Sequence, residues 1–278
     1  PYVRRKTETM NYRVNTEPLP GIKIDFTGNR SYAENLQHYF RYNWSTNNFD
    51  IFTPTNNGNF SMSYFMAGTA FVSSDSTSSR LFDNLMENRK IIAERIARNN
   101  PQWIENVNEY TFDSIAGDYF PKGYGSSSMD VLLYSFIAAY TGQDAEKISL
   151  NPFPRIPLPN WNLTYNGLTN IPSISKIFKT VSISHSYKSN YAINSWATNV
   201  YYNENNSVQT FENSDIIIPK YGISQIVLNE QFAPLIGVDL GLQNSMTFNL
   251  QFKKSRTLTL SFANNQLTEV NAREIVVG

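Results

Sequence analysis

Cysteine is absent from the 278-residue sequence, and this absence excludes several kinds of site at once. Without thiol groups the chain cannot form disulfides, thiolate metal centres or thiolate nucleophiles. The sequence also lacks any apolar run near the ~20 residues that a membrane-spanning helix needs. Its longest such run, VLLYSFIAAY, covers residues 131–140. We expect this run to form a helix that is buried in protein.

Charged residues are scarce and balanced, with 23 Lys and Arg against 23 Asp and Glu. They make up 17% of the chain, below the ~25% usual in soluble domains. Because the net charge is zero, no bulk field attracts nucleic acid, and we expect no nucleic-acid partner. Aromatic residues reach 14%, while Asn, Ser, Thr and Gln fill the polar positions. This composition fits a transmembrane β-barrel and also a secreted β-sandwich.

The stretch MTFNLQFKKSRTLTLSF, residues 246–262, shows how polar and apolar residues are arranged. Met, Phe and Leu alternate with Thr, Asn, Gln and Ser on both sides of the basic sequence KKSR. Alternation with a period of two predicts strands, and the interruption predicts a β-hairpin that turns at the basic residues. Each predicted strand has one apolar face and one polar face.

Similar alternation predicts an antiparallel, all-β arrangement along most of the chain. The first 72 residues contain four predicted strands, with a tight turn at Asn57-Gly58. A polar loop is predicted at 203–215, between the later strands. Besides the 246–262 hairpin, the predicted strands lie within 10–15, 22–27, 40–44, 59–66, 161–166, 180–187, 191–202 (a looser pair), 223–229, 236–242 and 269–277.

A helical insertion interrupts the strands. An apolar stripe at helical spacing predicts one helix within 81–98, which the sequence Asn-Asn-Pro at 99–101 ends. Ser127 and Asp130 have capping-box spacing and predict a second helix that ends at Gly142. Four prolines within 151–161 predict an extended connector.

These features divide the chain into three parts. Barrel-type strands occupy 1–73, the helical insertion with its proline-rich connector occupies 74–157, and further strands occupy 158–278. Both ends of the sequence read as strand rather than as a leader or a terminal loop. We therefore expect the chain to be a segment of a larger protein.

Alternation alone does not decide whether the apolar face meets lipid or the core of a sandwich. Three features favour a transmembrane β-barrel. The alternating runs often reach eight residues, whereas common strands have about five or six. The opposite face is almost wholly Ser, Thr, Asn and Gln, which suits a water-filled lumen. Aromatic residues also recur near strand ends, as in the interfacial girdles of outer-membrane barrels.

The barrel interpretation assigns different surroundings to the two faces. Polar-face residues are expected to face the lumen, and the candidates are Arg13, Asp25, Arg41, Asn162, Asp239, Asn249, Gln251 and Lys253. Apolar-face residues are expected to face lipid, where a Lys or Arg would cost ~2–4 kcal/mol at the bilayer midplane. The lipid-facing candidates are Ile24, Met246, Phe248, Leu250, Phe252, Leu258 and Leu260.

Residues that usually carry chemistry form no recognisable catalytic or metal-binding pattern. His38 and His185 lack further ligands at metal-binding spacing, so we assign both a structural role. Glu17 and Asp25 could serve as a pair of glycosidase acids, but nothing in the sequence indicates that they converge. We predict no enzymatic activity, no metal and no cofactor.

Several stretches stand out as blocks: NYRVNTEP, FTGNRSY, GNFSMSYFMAGTAF, MDVLLYSFIAAYTG, PFPRIPLPNWNLTYNGL, VSISHSYKSNY and NNQLTEVNAREIVVG. In this order, and over nearly the whole chain, they resemble the SprA (Sov) family. These proteins are outer-membrane translocons of the type IX secretion system, which also supports gliding motility. The proline-rich block is the most distinctive of them.

The resemblance implies a segment of one very large β-barrel in the outer membrane of a Gram-negative bacterium. Such a barrel would pass folded cargo proteins across the membrane. The partners that the resemblance implies are secreted cargo, a PorV-like carrier, a plug protein and outer-membrane lipid. It implies no catalytic residue.

Two other functions stay open at this point. An outer-membrane nutrient channel would have short insertions and a complete, even set of strands. A secreted β-sandwich could bind glycans and use its aromatic residues as sugar platforms. The helical insertion could cap a pore, enter it, form a docking surface or only buttress the wall. Long excursions of this kind usually carry function.

Overall fold

The structure, a computed structural model, describes residues 2–72, 74, 78–203, 208–211 and 214–278. The strands within these ranges are β1 (Tyr2–Leu19), β2 (Ile22–Asn43), β3 (Asn48–Ser63), β4 (Tyr110–Asp113), β5 (Asp118–Pro121), β6 (Asn160–Tyr165), β7 (Phe178–Thr198), β8 (Val208–Phe211), β9 (Ser214–Ile217), β10 (Tyr221–Ile223), β11 (Gln225–Leu242), β12 (Thr247–Ser261) and β13 (Gln266–Val277). The α-helices are α1 (Arg80–Arg98), α2 (Pro101–Asn106), α3 (Met129–Thr141) and α4 (Pro172–Ser175). Short 3-10 helices lie at Ala67–Thr69 and Gly167–Asn170.

Nine strands form one antiparallel sheet with the main order β1-β2-β3-β7-β11-β12-β13. β6 pairs with β2 and β7, so it occupies the same column as β3 but nearer the other end of the sheet. β10 pairs with the far end of β7. The expectation of an antiparallel all-β fold with a helical insertion is therefore confirmed.

Two predicted features of the N-terminal strands are wrong. The predicted strand at 40–44 is the end of β2, which is 22 residues long. The predicted turn at Asn57-Gly58 lies inside β3, and the chain turns at 44–47 instead. A Cβ atom at Gly58 would lie 1.8 Å from the carbonyl oxygen of Ala33. The glycine is thus required by a close approach of two strands and not by a turn.

The predicted hairpin at 246–262 is also wrong, because these residues form the single strand β12 and a few flanking positions. β12 pairs with β13 without interruption, from Leu250 opposite Val277 to Ser261 opposite Gln266. Other pairs of strands that were predicted as separate also form single strands. The runs 180–187 and 191–202 belong largely to β7, and 223–229 and 236–242 largely to β11.

The helices α1, α2 and α3 lie inside the predicted insertion, and the short helix α4 lies outside it. α1 follows Ser79, whose hydroxyl accepts a hydrogen bond from the Phe82 backbone N–H at 3.3 Å, a helix N-cap. α3 follows Ser128 rather than Ser127, so the predicted capping box is wrong. As predicted, α3 ends at Gly142, which has a left-handed φ of 73°. A small hairpin of β4 and β5 between the helices was not predicted.

Two predicted boundaries touch residues outside the described ranges. The predicted division between 73 and 74 involves Ser73, which lies outside them. The predicted loop at 203–215 also lies partly outside them. In its described part, β8 and β9 pair as a second small hairpin.

One face of the sheet packs against the helical layer, which we define as α1 and α3. α3 is almost wholly buried, as its apolar residues on all sides predict. From the sheet, the buried residues in this core are Phe60, Met62, Tyr191, Ile193, Trp196, Ile223, Ile226, Leu228, Leu258 and Leu260. The helical layer therefore covers part of the apolar face.

The proline-rich connector lies along the same side of the sheet and is held by three side chains, of which the first is Tyr12, whose hydroxyl donates to the Pro157 carbonyl at 3.2 Å. The Tyr191 hydroxyl donates to the Pro152 carbonyl at 3.1 Å. Arg30 Nε donates to the Pro154 carbonyl at 2.9 Å. Because proline cannot donate a backbone hydrogen bond, these contacts use the acceptors that such a segment still offers.

Candidate functional site

The candidate site is the pair of faces of the long sheet, which the strand register defines. Residues directly opposite each other on antiparallel strands point to the same face. Asp25 lies opposite Asn162, and Asp239 lies opposite Asn249. Alternation along each strand between its register shifts extends the assignment. All the predicted lumen candidates share this polar face: Arg13, Asp25, Arg41, Asn162, Asp239, Asn249, Gln251 and Lys253.

The polar face is open to solvent, and several of its charges are compensated. Arg13 lies 3.5 Å from Asp25, and Lys253 lies 3.6 Å from Glu274 on the neighbouring strand. Along β12 the polar positions read Thr, Asn, Gln, Lys, Ser, Thr, Thr and Ser. Exposed ion pairs of this kind contribute ~0–1 kcal/mol. The face is therefore hydrated, weakly charged and without large apolar groups along β12.

The opposite face carries an exposed apolar band, which we call the apolar belt. Leu250, which lies among the alternating apolar residues of β12, is 52% exposed. The belt crosses seven strands. Its exposed residues are Val14, Ile236, Met246, Phe248, Leu250, Ile275 and Val277, and its half-buried residues are Ile22, Ile24, Leu163, Ile183, Val238, Leu240 and Phe252. Contiguous exposed apolar surface of this kind marks an interaction site or a membrane contact.

Two of the predicted lipid-facing residues lie elsewhere. Leu258 and Leu260 share the face of Leu250, but they are 0% and 3% exposed. Both belong to the core beneath the helical layer. The prediction that they contact lipid is wrong, because protein covers this part of the face. Ile24, Met246, Phe248, Leu250 and Phe252 lie in the belt.

An aromatic rim separates the belt from the covered part of the face. It consists of Phe65, Phe71, Trp161, Tyr187 and Phe232. Trp161 stacks on Tyr187 with ring centroids 4.4 Å apart, and Tyr187 lies 5.0 Å from Phe232. Phe65 and Phe71 come from the chain that follows β3 and remain exposed. Aromatic rows of this kind mark the interfaces of membrane-spanning barrels.

A buried ion pair lies next to the rim. Arg256 is 3.0 Å from Glu230, and both side chains are 2% exposed. Arg256 also donates to the Thr69 carbonyl at 3.1 Å. The Tyr187 hydroxyl donates to Glu230 at 3.0 Å and accepts from the Met66 backbone N–H at 2.8 Å. These bonds fasten the chain that follows β3 across the sheet.

Lys254 adds a further cation at the same level. Its ammonium lies 4.4 Å from the centroid of the Phe71 ring and donates to the Ala70 carbonyl at 2.5 Å. Sequence reasoning missed this cluster because it treats Lys254 and Arg256 as a turn. The signal that could have found it is Glu230, a carboxylate at an apolar position of its strand. A charge on an apolar face requires a partner.

Both histidines have ordinary neighbours. His38 is buried and stacks on Tyr2 at 4.8 Å. His185 Nδ1 lies 2.6 Å from the Leu235 carbonyl oxygen. Glu17 accepts from the Gly21 backbone N–H at 3.0 Å. In the described part of the chain, no group of three or more His, Asp or Glu is placed to hold a metal ion.

Comparison with known proteins assigns no family. No protein-family model matches the chain, and no curated protein matches its sequence. Among the described helices, none is both long enough and apolar enough to cross a bilayer. The belt, the rim and the polar face are therefore the features that bear on function.

Proposed function

We propose that this chain is a segment of the wall of a protein-conducting β-barrel in the outer membrane of a Gram-negative bacterium. The apolar belt faces lipid, and the polar face lines a water-filled passage. The observation that carries the proposal is that an exposed apolar belt and a hydrated polar face lie on opposite sides of the same strands. The resemblance to the SprA family of type IX secretion translocons supports it as well.

The height of the belt suits an outer-membrane bilayer. Residues 246–254 of β12 run from the belt edge to Lys254, and nine residues extend about 30 Å along a strand. At a tilt of ~40° this becomes about 23 Å, close to the ~25 Å apolar band of such barrels. The aromatic rim and Lys254 then lie at the level of the lipid head groups.

The remaining length of the strands projects beyond the bilayer. β7 has 21 residues, which extend about 70 Å, far more than a membrane requires. An apolar strand face outside the membrane needs a cover, and the helical layer supplies it over Ile193, Ile226 and Leu258. The insertion therefore buttresses the outer side of the wall above the lipid.

The connections between strands indicate on which side of the membrane the helical layer lies. At the belt end the strands are joined at 20–21, 166–177 and 243–246. The other end has the turns 44–47 and 262–265 and the long connection 199–224, and the longest excursion, 64–159, leaves β3 and returns at β6 in the middle of the sheet while its helices cover this end. Outer-membrane barrels have short periplasmic turns and longer extracellular loops. On this basis the helical layer is extracellular.

The sheet supplies part of a barrel and leaves room for more strands. Within the described residues, β1 pairs only with β2 and β13 only with β12. Additional strands can therefore pair with either outer edge, as closure of a large barrel requires. Cargo, a PorV-like carrier and a plug protein are the proposed partners by resemblance.

The proposed mechanism needs no chemistry from the chain. Ser, Thr, Asn and Gln side chains hydrate well and carry no fixed charge that would hold a charged passenger. A folded cargo protein can then pass along the wall without strong contacts. A β-sandwich would need a second sheet over the belt, and the described residues place none there.

Site-directed photocrosslinking tests the proposal. A photoreactive amino acid at Gln251 should crosslink to cargo during secretion, because this side chain points into the passage. The matched control is the same amino acid at Leu250, one position away on the lipid side, which should give no cargo adduct. Cargo adducts from Leu250 and none from Gln251 would overturn the proposal.

A further inference from the structure

A cavity of about 710 Å³ lies between the helical layer, α2 and the segment 217–223. Its volume falls within the ~300–1,000 Å³ range of small-molecule sites. The floor is apolar, with Leu133 and Ile223 among its residues. No belt residue lines the cavity, and it takes no part in the proposed transport function.

Tyrosines form much of the cavity wall. Tyr124, Tyr134 and Tyr221 all line it. The Tyr134 hydroxyl donates to the Leu150 carbonyl at 3.0 Å, and the Tyr124 hydroxyl accepts from Asn100 at 2.9 Å. Since the Tyr134 hydroxyl already donates its proton, the ring is the main surface that Tyr134 offers to a ligand. The faces of tyrosine rings attract cations.

Asp130 places a carboxylate in this aromatic setting. It lies in the first turn of α3, lines the cavity and is half-buried. In the described part of the chain, no hydrogen bond or ion pair involves its side chain, and burial raises its pKa to about 6. Lys220 also lines the cavity, but its ammonium lies over Tyr202 and Tyr221, 5.7 and 5.9 Å from the ring centroids. A desolvated carboxylate without a partner favours the binding of a cation.

We propose that this cavity binds a cationic ligand, whose ammonium or guanidinium group pairs with Asp130 while its apolar part lies against the tyrosines. Two sources carry this chemistry. One is a small organic amine, and the other is a Lys or Arg side chain of a peptide. The site does not depend on the transport function, so either proposal can fail without the other.

Titration of the purified protein in detergent with benzylamine at pH 7.5 tests the proposal. Benzyl alcohol, which has the same ring and no charge, should bind at least tenfold more weakly. The Asp130→Asn variant should lose at least tenfold in benzylamine affinity. The matched control is Asp83→Asn, which changes an exposed first-turn aspartate of α1 outside the cavity and should bind benzylamine normally.

The pH dependence provides a second readout. Benzylamine affinity should fall as the pH drops from 7.5 to 5, because Asp130 takes up a proton in this range. The other titratable groups that line the cavity are Glu105, Lys220 and four tyrosines: Tyr124, Tyr134, Tyr202 and Tyr221. Burial raises the pKa of Tyr124 to about 12 and raises that of Tyr134 further, so these two stay neutral throughout. The Glu105→Gln variant should keep the same pH dependence.

Binding of short peptides distinguishes a small organic amine from a peptide side chain as the ligand. Acetyl-Leu-Lys-Leu-amide is compared with acetyl-Leu-Gln-Leu-amide in the same titration. Binding of the lysine peptide alone supports a peptide ligand, and binding of benzylamine alone supports a small amine. If neither binds, or if Asp130→Asn binds both as well as the original protein with an unchanged circular dichroism spectrum, the proposal is wrong.

Discussion

Two zones of one strand face differ in what lies over them, although their sequences look alike. In β12, Phe248 and Leu250 alternate with polar residues, and so do Leu258 and Leu260. The first pair is half-exposed in the apolar belt, and the second pair is buried beneath the helical layer. Alternation therefore identifies which residues share a face. It does not identify whether lipid or protein covers that face.

At the boundary between the two zones, charged side chains lie on the apolar face of the sheet. Glu230, Lys254 and Arg256 lie there with the aromatic rim. An ion pair as buried as this one is tolerated because each charge has several partners. The comparison of the zones therefore predicts different consequences for substitutions on the same face.

The largest expected effect is in the covered zone. Leu258→Arg would place a charge without a partner in the core and should lower the free energy of unfolding by about 4 kcal/mol or more. The control is Leu258→Met, which keeps the volume and should cost less than about 1.5 kcal/mol. Urea unfolding in detergent measures both. A cost below about 1 kcal/mol for the arginine would mean that Leu258 is not covered.

The next effect is at the boundary. Arg256→Ala leaves Glu230 buried without its partner and should cost about 3–5 kcal/mol. The double variant Glu230→Gln, Arg256→Met should be less destabilised than Arg256→Ala, because no lone charge remains. Lys253→Ala is the control on the other face of the same strand. It breaks an exposed pair with Glu274 and should cost at most about 1 kcal/mol.

The belt itself should respond through membrane assembly. Leu250→Arg should cost about 2–4 kcal/mol when the protein folds into lipid vesicles, because the charge enters the bilayer. Gln251→Arg points to the aqueous side and should cost no more than about 0.5 kcal/mol. The yield of protease-resistant protein in vesicles measures both. Equal damage by the two substitutions would contradict the assignment of the faces.

The smallest expected effect on stability is in the helical layer, at Asp130 of α3. Asp130 has a pKa of about 6 in the folded protein against an ordinary value of 3.8. As the pH rises, Asp130 therefore loses its proton at a lower pH in the unfolded chain than in the folded protein. Above pH 6 the folded state bears the full free-energy cost of holding the ionised carboxylate in this site. Asp130→Asn should stabilise the protein above pH 6 by roughly 1–2 kcal/mol. The gain should shrink as the pH falls towards 4, which unfolding curves at several pH values can check.

The sequence is sufficient to predict the two faces, since side chains alternate strictly along a strand. For this reason the polar candidates from Arg13 to Lys253 all share one side. The sequence is not sufficient to predict strand ends. Lys254 and Arg256 look like a turn because their partners, Ala70 and Glu230, are distant in the chain. The position of the helical layer also depends on packing between distant segments, so Leu258 and Leu250 cannot be distinguished by pattern.

The most direct test uses the absence of cysteine from the chain. Single-cysteine variants at Leu250, Gln251 and Leu258 are spin-labelled in lipid nanodiscs, and collisions with oxygen and with a water-soluble nickel complex are measured. We predict that the label at 250 collides mainly with oxygen and that the label at 251 collides mainly with the nickel complex. Position 258 should resist labelling. A label at 250 that meets nickel as readily as the label at 251 would contradict the proposal that the belt faces lipid.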